Sequence, residues 1–406
     1  MERYCNNLLQ DTALLHRLKD ANYDLLIVES LDPCSRILAD YLDIPFVPLM
    51  STGLGHLDGN PRPPSYVPSA ISPYTSRMTF LQRMGNLVMK VLYDTIPIVM
   101  GLDAPFEILK QTYGLNTSMS ISDTYNRASI KLVNSDFAID YPTPIEPDTV
   151  MVGGFAVRTP APLPSELEEF MQSSGQHGVI VVSFGTLVKN FNLDWTRVFV
   201  ESLSRLPQKV LWRYYGDHDA VMNMTADVSN IRLMRWLPQS DLLAHPKTKL
   251  FITHCGLNGM FETTHHGVPV VAIPLTGDQH NHASKLVEHL QMGIKLDIFD
   301  LDASKLYDAA ETVLSRPTYK TNARVASSRL RDHPLSATDR VSFWVDYVIR
   351  HGGAPHLKST AHMLTWYQYL SLDVIFCVVC FFSLALTIVL IASYKMAVFF
   401  MNKKKT

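Results

Sequence analysis

The 406-residue chain has almost no charge imbalance. Its 36 Lys and Arg stand against 38 Asp and Glu, for a formal net charge of -2. No basic stripe runs through the body, so the electrostatic footprint of a nucleic-acid binder is missing. Cysteine is scarce: Cys5, Cys34 and Cys255 stand apart, while Cys377 and Cys380 fall in an apolar run. Neither a disulfide framework nor a metal-ligand spacing is expected from them, and no metal is assigned. Gly-x-Gly-x-x-Gly and the Walker Gly-Lys-Ser/Thr are absent, which removes the usual signatures of dehydrogenases and P-loop enzymes. There is no short-period repeat and no low-complexity tract. Residues 1–18 are polar and helical in pattern, with Leu8, Leu9, Leu14, Leu15 and Leu18 on one face. They lack the continuous apolar core of a signal peptide.

What is present is length enough for two domains and an appendage. The appendage is C-terminal. Residues 374–392 carry no charge, and Trp366, Tyr367 and Tyr369 precede them as an interfacial belt, the pattern of a single membrane span. Lys395, Lys403, Lys404 and Lys405 follow, which puts the tail in the cytoplasm and the body in the lumen. The lysines three and four places from the end read equally as a dilysine retrieval signal of the endoplasmic reticulum or as a plain stop-transfer cluster. Two sequons, at Asn116 and Asn223, are compatible with a lumenal body.

The body alternates short apolar runs with helical periodicity. Strands are expected at 24–28, 44–49, 130–134, 150–154, 179–183, 209–213, 231–234, 250–253 and 268–274. Helices are expected at 35–42, 78–100, 195–206, 240–244, after Gly256, and at 301–314, 319–331 and 337–350. A Gly/Pro/Ser-rich loop spans 51–76, and three prolines in 158–164 mark a linker. Strands alternating with helices give an α/β class with two doubly wound domains. The segments are an N-terminal domain at 1–157, a linker at 158–172, a second domain at 173–351, a juxtamembrane segment at 352–373, a span at 374–394 and a tail at 395–406.

The chemistry concentrates between Trp236 and Gln279. In open α/β sheets ligands bind beyond the carboxyl ends of the strands, and a helix beginning there turns free amides and its positive end toward an anion. His254, Gly256 and Asn258 lie at such a junction, with His254 a donor to a phosphate oxygen. Glu262 shares a helix face with Asn258, and its carboxylate suits ribose hydroxyls. Trp236 offers a flat face to a base, and the Gln239 amide can read a uracil edge. Asp278 and Gln279 suit vicinal sugar hydroxyls, and Ser183, Gly185, Thr186 and Arg213 could add phosphate or base contacts.

The block from Trp236 to Pro246, the run Phe251-Ile252-Thr253-His254-Cys255-Gly256-Leu257-Asn258-Gly259 and the closing Gly277-Asp278-Gln279 resemble the signature of the UDP-glycosyltransferases. The likeness is to the animal membrane-bound branch containing the UDP-glucuronosyltransferases. Residues 24–30, 133–137 and 333–336 look closest to its vertebrate type 3 members.

The resemblance implies a GT-B fold, with an acceptor domain first, a donor domain second and the sugar nucleotide between them. It implies inverting, metal-independent transfer of a sugar from a UDP-sugar co-substrate to a hydroxyl of a small lipophilic acceptor, without a cofactor. Leu237 and Gly259 join the donor-binding set by the same likeness. A histidine oriented by an acidic partner would be the general base. The partner falls on Glu29, where the family usually has Asp. The base itself would lie ahead of residue 1, in a segment the family has and this chain does not, so an N-terminally shortened enzyme is expected. His16 and His56 are the substitute candidates, each otherwise an ordinary surface or loop histidine. The alternative is a non-catalytic UDP-sugar-binding membrane protein that forms homo- or hetero-oligomers with full-length members. Cys255 occupies a position that is Gly in most animal members, and His282 one where many have Asn. Glucuronic acid, glucose, N-acetylglucosamine and xylose all stay open as the sugar.

Overall fold

A computed structural model describes residues 2–50, 59–115, 120, 121, 123–186, 188, 192–217, 221, 224 and 228–403. His56, Asn116, Asn223, Lys404 and Lys405 lie outside them. The chain forms two compact units, Met1–Leu357 and Lys358–Thr406.

The first unit holds two parallel sheets. The opening helical segment is broken at Asp11, whose carboxylate accepts from the Leu14 amide at 2.9 Å, so it forms α1 (Glu2–Gln10) and α2 (Thr12–Asp20). Next come β1 (Leu26–Glu29), α3 (Pro33–Leu42) and β2 (Phe46–Met50). Asp32 caps α3 and Asp43 closes it in a left-handed conformation. α4 (Phe80–Val99) and α5 (Ala104–Thr112) precede β3 (Lys131–Val133) and β4 (Thr149–Met151). The four strands run in spatial order β1-β2-β3-β4.

α6 (Ser165–Gln172) occupies part of the expected linker, with Leu167 and Met171 buried in the core of the second sheet. That sheet contains β5 (Val179–Ser183), β6 (Lys209–Arg213), β7 (Ile231–Met234), β8 (Thr248–Thr253), β9 (Val270–Ala272) and β10 (Gly293–Lys295), in spatial order β10-β9-β8-β5-β6-β7. Its central strands are buried on both faces, which is why they read as unbroken apolar runs. The helices between them are α7 (Leu193–Leu203), α8 (Gln239–Ala244), α9 (Leu257–His265) and α10 (Gln279–Ser284), the last continued by a π turn at Lys285–His289. α11 (Ala303–Ser315), α12 (Pro317–Arg331) and α13 (Ala337–His351) follow. α13 returns to the first sheet, where Val348 packs in one cluster with Val47, Ile130, Leu132 and Val150.

One expectation is overturned. Cys5 and Cys34 form a disulfide, with Cα atoms 5.4 Å apart. They are 29 residues apart in sequence, and packing of α1 and α5 beside α3 brings them together, so no local spacing announces the pair. The second unit contains α14 (Leu372–Lys403), whose segment Leu372–Val398 has a mean hydropathy of 3.1 and is long and apolar enough to cross a membrane.

Candidate functional site

β5 and β8 are paired in register, Ser183 beside Thr253, so the loops leaving them start side by side. His254 follows β8. Gly185 adopts φ +74, and a Cβ built there would lie 2.7 Å from His254 Nε2; one built on Gly256 would lie 2.6 Å from it. The imidazole is therefore wedged between two backbone turns that tolerate no side chain. Burial pulls His254 down to about 4, against smaller opposing effects of the Ser183 backbone and Asp278, with Arg213 lowering it further. The ring is neutral near pH 7, and its buried Nδ1 has no hydrogen-bond partner among the described residues. A ligand oxygen or water satisfies such an atom.

Cys255 is buried in the left-handed region at φ 64, with its amide donating to Thr253 Oγ1 at 3.1 Å. Burial pushes its thiol far up, so it is no nucleophile. Gly256 then caps α9, whose first amides are free of intrahelical partners by construction of any helix.

On one side of this turn Trp236 is 63% exposed, with the Arg213 guanidinium 4.6 Å from its ring centroid. Arg213 also donates to Tyr215 Oη at 3.1 Å. Further along, Gln239 Nε2 donates to Glu262 Oε2 at 2.5 Å, joining the start of α8 to the middle of α9. Burial raises the Glu262 carboxyl above its ordinary value, against the Gln239 hydrogen bond and Arg158.

Asn258 and Glu262 line a cleft with Phe261 and with Asn134, Gly154, Ala156 and Val157. The last four come from around β3 and β4, so the cleft lies between the two sheets. Asn134 Nδ2 donates to Asn258 Oδ1 at 3.5 Å, and its Oδ1 accepts from the Gly154 amide at 3.1 Å. Sequence reasoning missed Asn134. Its signal was a polar Asn-Ser-Asp run directly at the carboxyl end of a strand.

The predicted residues divide by what they do. Ser183, Gly185, His254, Gly256 and Asn258 gather at one turn. The Leu237 side chain is core, 3% exposed, and Gly259 makes only ordinary contacts inside α9, its nearest neighbour Gln239 Nε2 at 3.6 Å from a built Cβ. Thr186 is exposed on the loop after β5. Gln279 Oε1 accepts from the Leu275 and Thr276 amides at 2.8 and 3.2 Å, which holds the loop after β9. Asp278 is part-exposed at the start of α10. Glu29 stands at the carboxyl end of β1 in the other sheet, accepting from Ser30 Oγ at 3.2 Å and the Leu31 amide at 3.4 Å. His16 is exposed on α2.

Two parallel sheets facing a common cleft, with a helix start receptive to anions at the carboxyl ends of the strands, define an α/β protein built to hold an anionic ligand such as a nucleotide between its sheets. The chain belongs to the UDP-glucoronosyl and UDP-glucosyl transferase family, whose model matches residues 1–406. It is 39% identical over 396 residues to UDP-glucuronosyltransferase 2A3 of Mus musculus, covering 95% of this chain and 72% of that protein. It is 35% identical over 387 residues to UDP-glucuronosyltransferase 2B7 of Homo sapiens, covering 93% and 71%. Among solved structures, a UDP-glucosyltransferase from Polygonum tinctorium, in a complex with 3,4-dichloroaniline, superposes with a TM-score of 0.59 at 16% identity, covering 86% of this chain and 81% of that one. A UDP-glucose: anthocyanidin 3-O-glucosyltransferase in complex with UDP gives 0.57 at 15% identity, covering 86% and 80%. The fold is GT-B, as expected, and the enzyme class is UDP-glycosyltransferase.

Proposed function

We propose that the chain binds a UDP-sugar at the carboxyl ends of β5, β6, β8 and β9 and transfers the sugar, with inversion, to a hydroxyl of a small lipophilic acceptor. The observation that carries this reading is the convergence on one turn of a neutral His254 held between Gly185 and Gly256, with the Trp236–Arg213 stack and the Gln239–Glu262 pair nearby. Uracil stacks on Trp236 within reach of Gln239, and Glu262 takes ribose hydroxyls. The diphosphate meets the first amides of α9, His254, Ser183 and Thr186, while Asp278 and Gln279 address the sugar. The negative charge that develops on departing UDP is thus met by fixed dipoles, a role preorganised donors fill without a metal or an organic cofactor. Glu29 serves as the orienting partner of a base, and the base is not assigned to a residue of this chain.

The lipid bilayer is the second partner. α4 exposes Phe80, Leu81, Met84, Val88 and Val91 on a long apolar surface, which suits a membrane interface and lipophilic acceptors dissolved in it. The Cys5–Cys34 disulfide fits an oxidising lumen, and Lys403, beyond the apolar segment Leu372–Val398, fits a cytoplasmic tail. Both support a single-pass protein of the endoplasmic reticulum membrane with a lumenal body.

The test is turnover by the full chain in proteoliposomes, offered UDP-glucuronic acid, UDP-glucose, UDP-N-acetylglucosamine and UDP-xylose with a panel of hydroxylated lipophilic acceptors. Acceptor-dependent UDP release with inverted anomeric configuration is expected. Retained configuration, or no acceptor-dependent release with any of the four donors, would overturn the proposal.

A further inference from the structure

α10 and the π turn after it carry the sequence Gln279-His280-Asn281-His282-Ala283-Ser284-Lys285, which is polar yet largely buried. Its polar groups have identifiable partners. Asn281 Nδ2 donates to the Ser72 carbonyl at 3.4 Å, and Ser284 Oγ donates to the Pro73 carbonyl at 2.7 Å. Lys285 Nζ stands 2.5 Å from Asp140 Oδ1. These three contacts face the first sheet's loops. His282 points the other way, into the donor site's own scaffold. Its Nδ1 lies 3.0 Å from the Cys255 carbonyl, which can only accept, so the Nδ1–H tautomer donates. Its Nε2 stands 3.9 Å from Asp278 Oδ2. The side chain is 3% exposed.

Cys255 is the residue that needs such support. A non-glycine residue in the left-handed region is strained, and it persists where its surroundings over-determine it. Two groups do so here. Thr253 Oγ1 accepts from the Cys255 amide on one side, and His282 donates to its carbonyl on the other. Between these two hydrogen bonds lie the φ and ψ of Cys255, which set where Gly256, the N-cap of α9, begins. Burial, with the neighbouring Lys285 ammonium assisting, keeps the imidazole neutral, with one proton and one defined donor.

We infer that His282 is a positioning residue for the diphosphate: it locks the His254-Cys255-Gly256 turn from behind and so aims the first amides of α9 at the phosphates. It does not touch the nucleotide. The inference rests on the donor-site reading above and adds to it a residue acting through Cys255. An Asn amide can supply the same donor to the same carbonyl, so the element that matters is the hydrogen bond and not the ring.

The experiment measures the affinities of UDP and of uridine for the full chain in detergent, by titration calorimetry. Uridine lacks the phosphates, so the ratio of the two affinities isolates the phosphate contribution from the base and ribose contacts. His282→Leu is expected to weaken UDP about tenfold and to leave uridine unchanged, the loss of one hydrogen bond at a buried carbonyl. His282→Asn is expected to keep the wild-type ratio. A parallel fall of UDP and uridine affinity in His282→Leu would show a merely structural role and overturn the inference, as would an unchanged UDP affinity. If His282→Leu does not fold, His282→Asn still decides: a ratio collapsed toward one contradicts the inference. Wild-type protein that binds neither ligand would instead refute the donor site itself, and this result is distinct from all the others.

Discussion

Gly185 and Gly256 set a tight constraint on the candidate site, because a Cβ on either would lie closer to His254 than real Cβ contacts permit. Gly256→Ala is expected to displace the imidazole and weaken UDP binding at least tenfold, measurable by calorimetry, with little loss of far-UV ellipticity. Glu262 gives a pH-dependent expectation. Burial raises its carboxyl, and ribose hydroxyls need the ionised acceptor, so UDP affinity is expected to fall with decreasing pH before an ordinary carboxylate would protonate. Glu262→Gln should abolish that acid limb and cost about 10- to 100-fold in affinity, the range for losing a charged hydrogen-bond acceptor. A Glu262→Gln profile with the wild-type acid limb would assign the titration to another group.

At the level of elements, the sequence shows the second sheet well apart from its edge strand β10. The runs at 179–183, 209–213 and 250–253 are strands buried on both faces, and apolar continuity is a direct trace of that burial. α10 left no such trace. Its buried face is polar, since Asn281 and Ser284 are satisfied by carbonyls of residues more than two hundred positions away. Periodicity of apolar residues cannot see a face that packs by hydrogen bonding. Short local spacing marks Trp236, Gln239, His254 and Glu262 as candidates, whereas Asn134 reaches Asn258 only through tertiary contact. α4 shows the converse case, an apolar periodicity that is fully legible but faces outward. Replacing Leu81 and Val88 together by Glu is expected to reduce turnover of lipophilic acceptors in proteoliposomes several-fold and to leave water-soluble acceptors unaffected. Equal losses for both acceptor types would separate α4 from acceptor access.

For the whole molecule, two features tie distant parts together. The Cys5–Cys34 disulfide joins the N-terminal helices to the first α/β unit. Its removal in Cys5→Ala with Cys34→Ala is expected to cost about 2–4 kcal/mol, read as a lower melting temperature in differential scanning fluorimetry. Between the sheets, Asp140 is buried against Lys285 and also accepts from Ser135 Oγ and the Asp136 amide. Burial works to raise this carboxyl, and the ammonium and hydrogen bonds outweigh it, holding Asp140 below its ordinary value. Stability has a second pH signature. His254, His266 and His282 are pulled by burial to about 4, below the unfolded value near 6.5. The unfolded chain therefore binds more protons in this window, and the stability these neutral rings represent is lost as pH falls from about 6.5 toward 4. A melting temperature that stays flat across that range would contradict the burial of these three side chains.

The family is established by likeness along the whole chain, and the donor site is the claim that remains to be measured. UDP binding by the full chain, wild type against Trp236→Ala combined with Glu262→Ala, addresses it most directly. Saturable UDP binding by the wild type and its loss in the double variant is the result that fits Trp236 to Gln279 as the nucleotide site. A double variant that binds UDP as tightly as the wild type would place the nucleotide elsewhere.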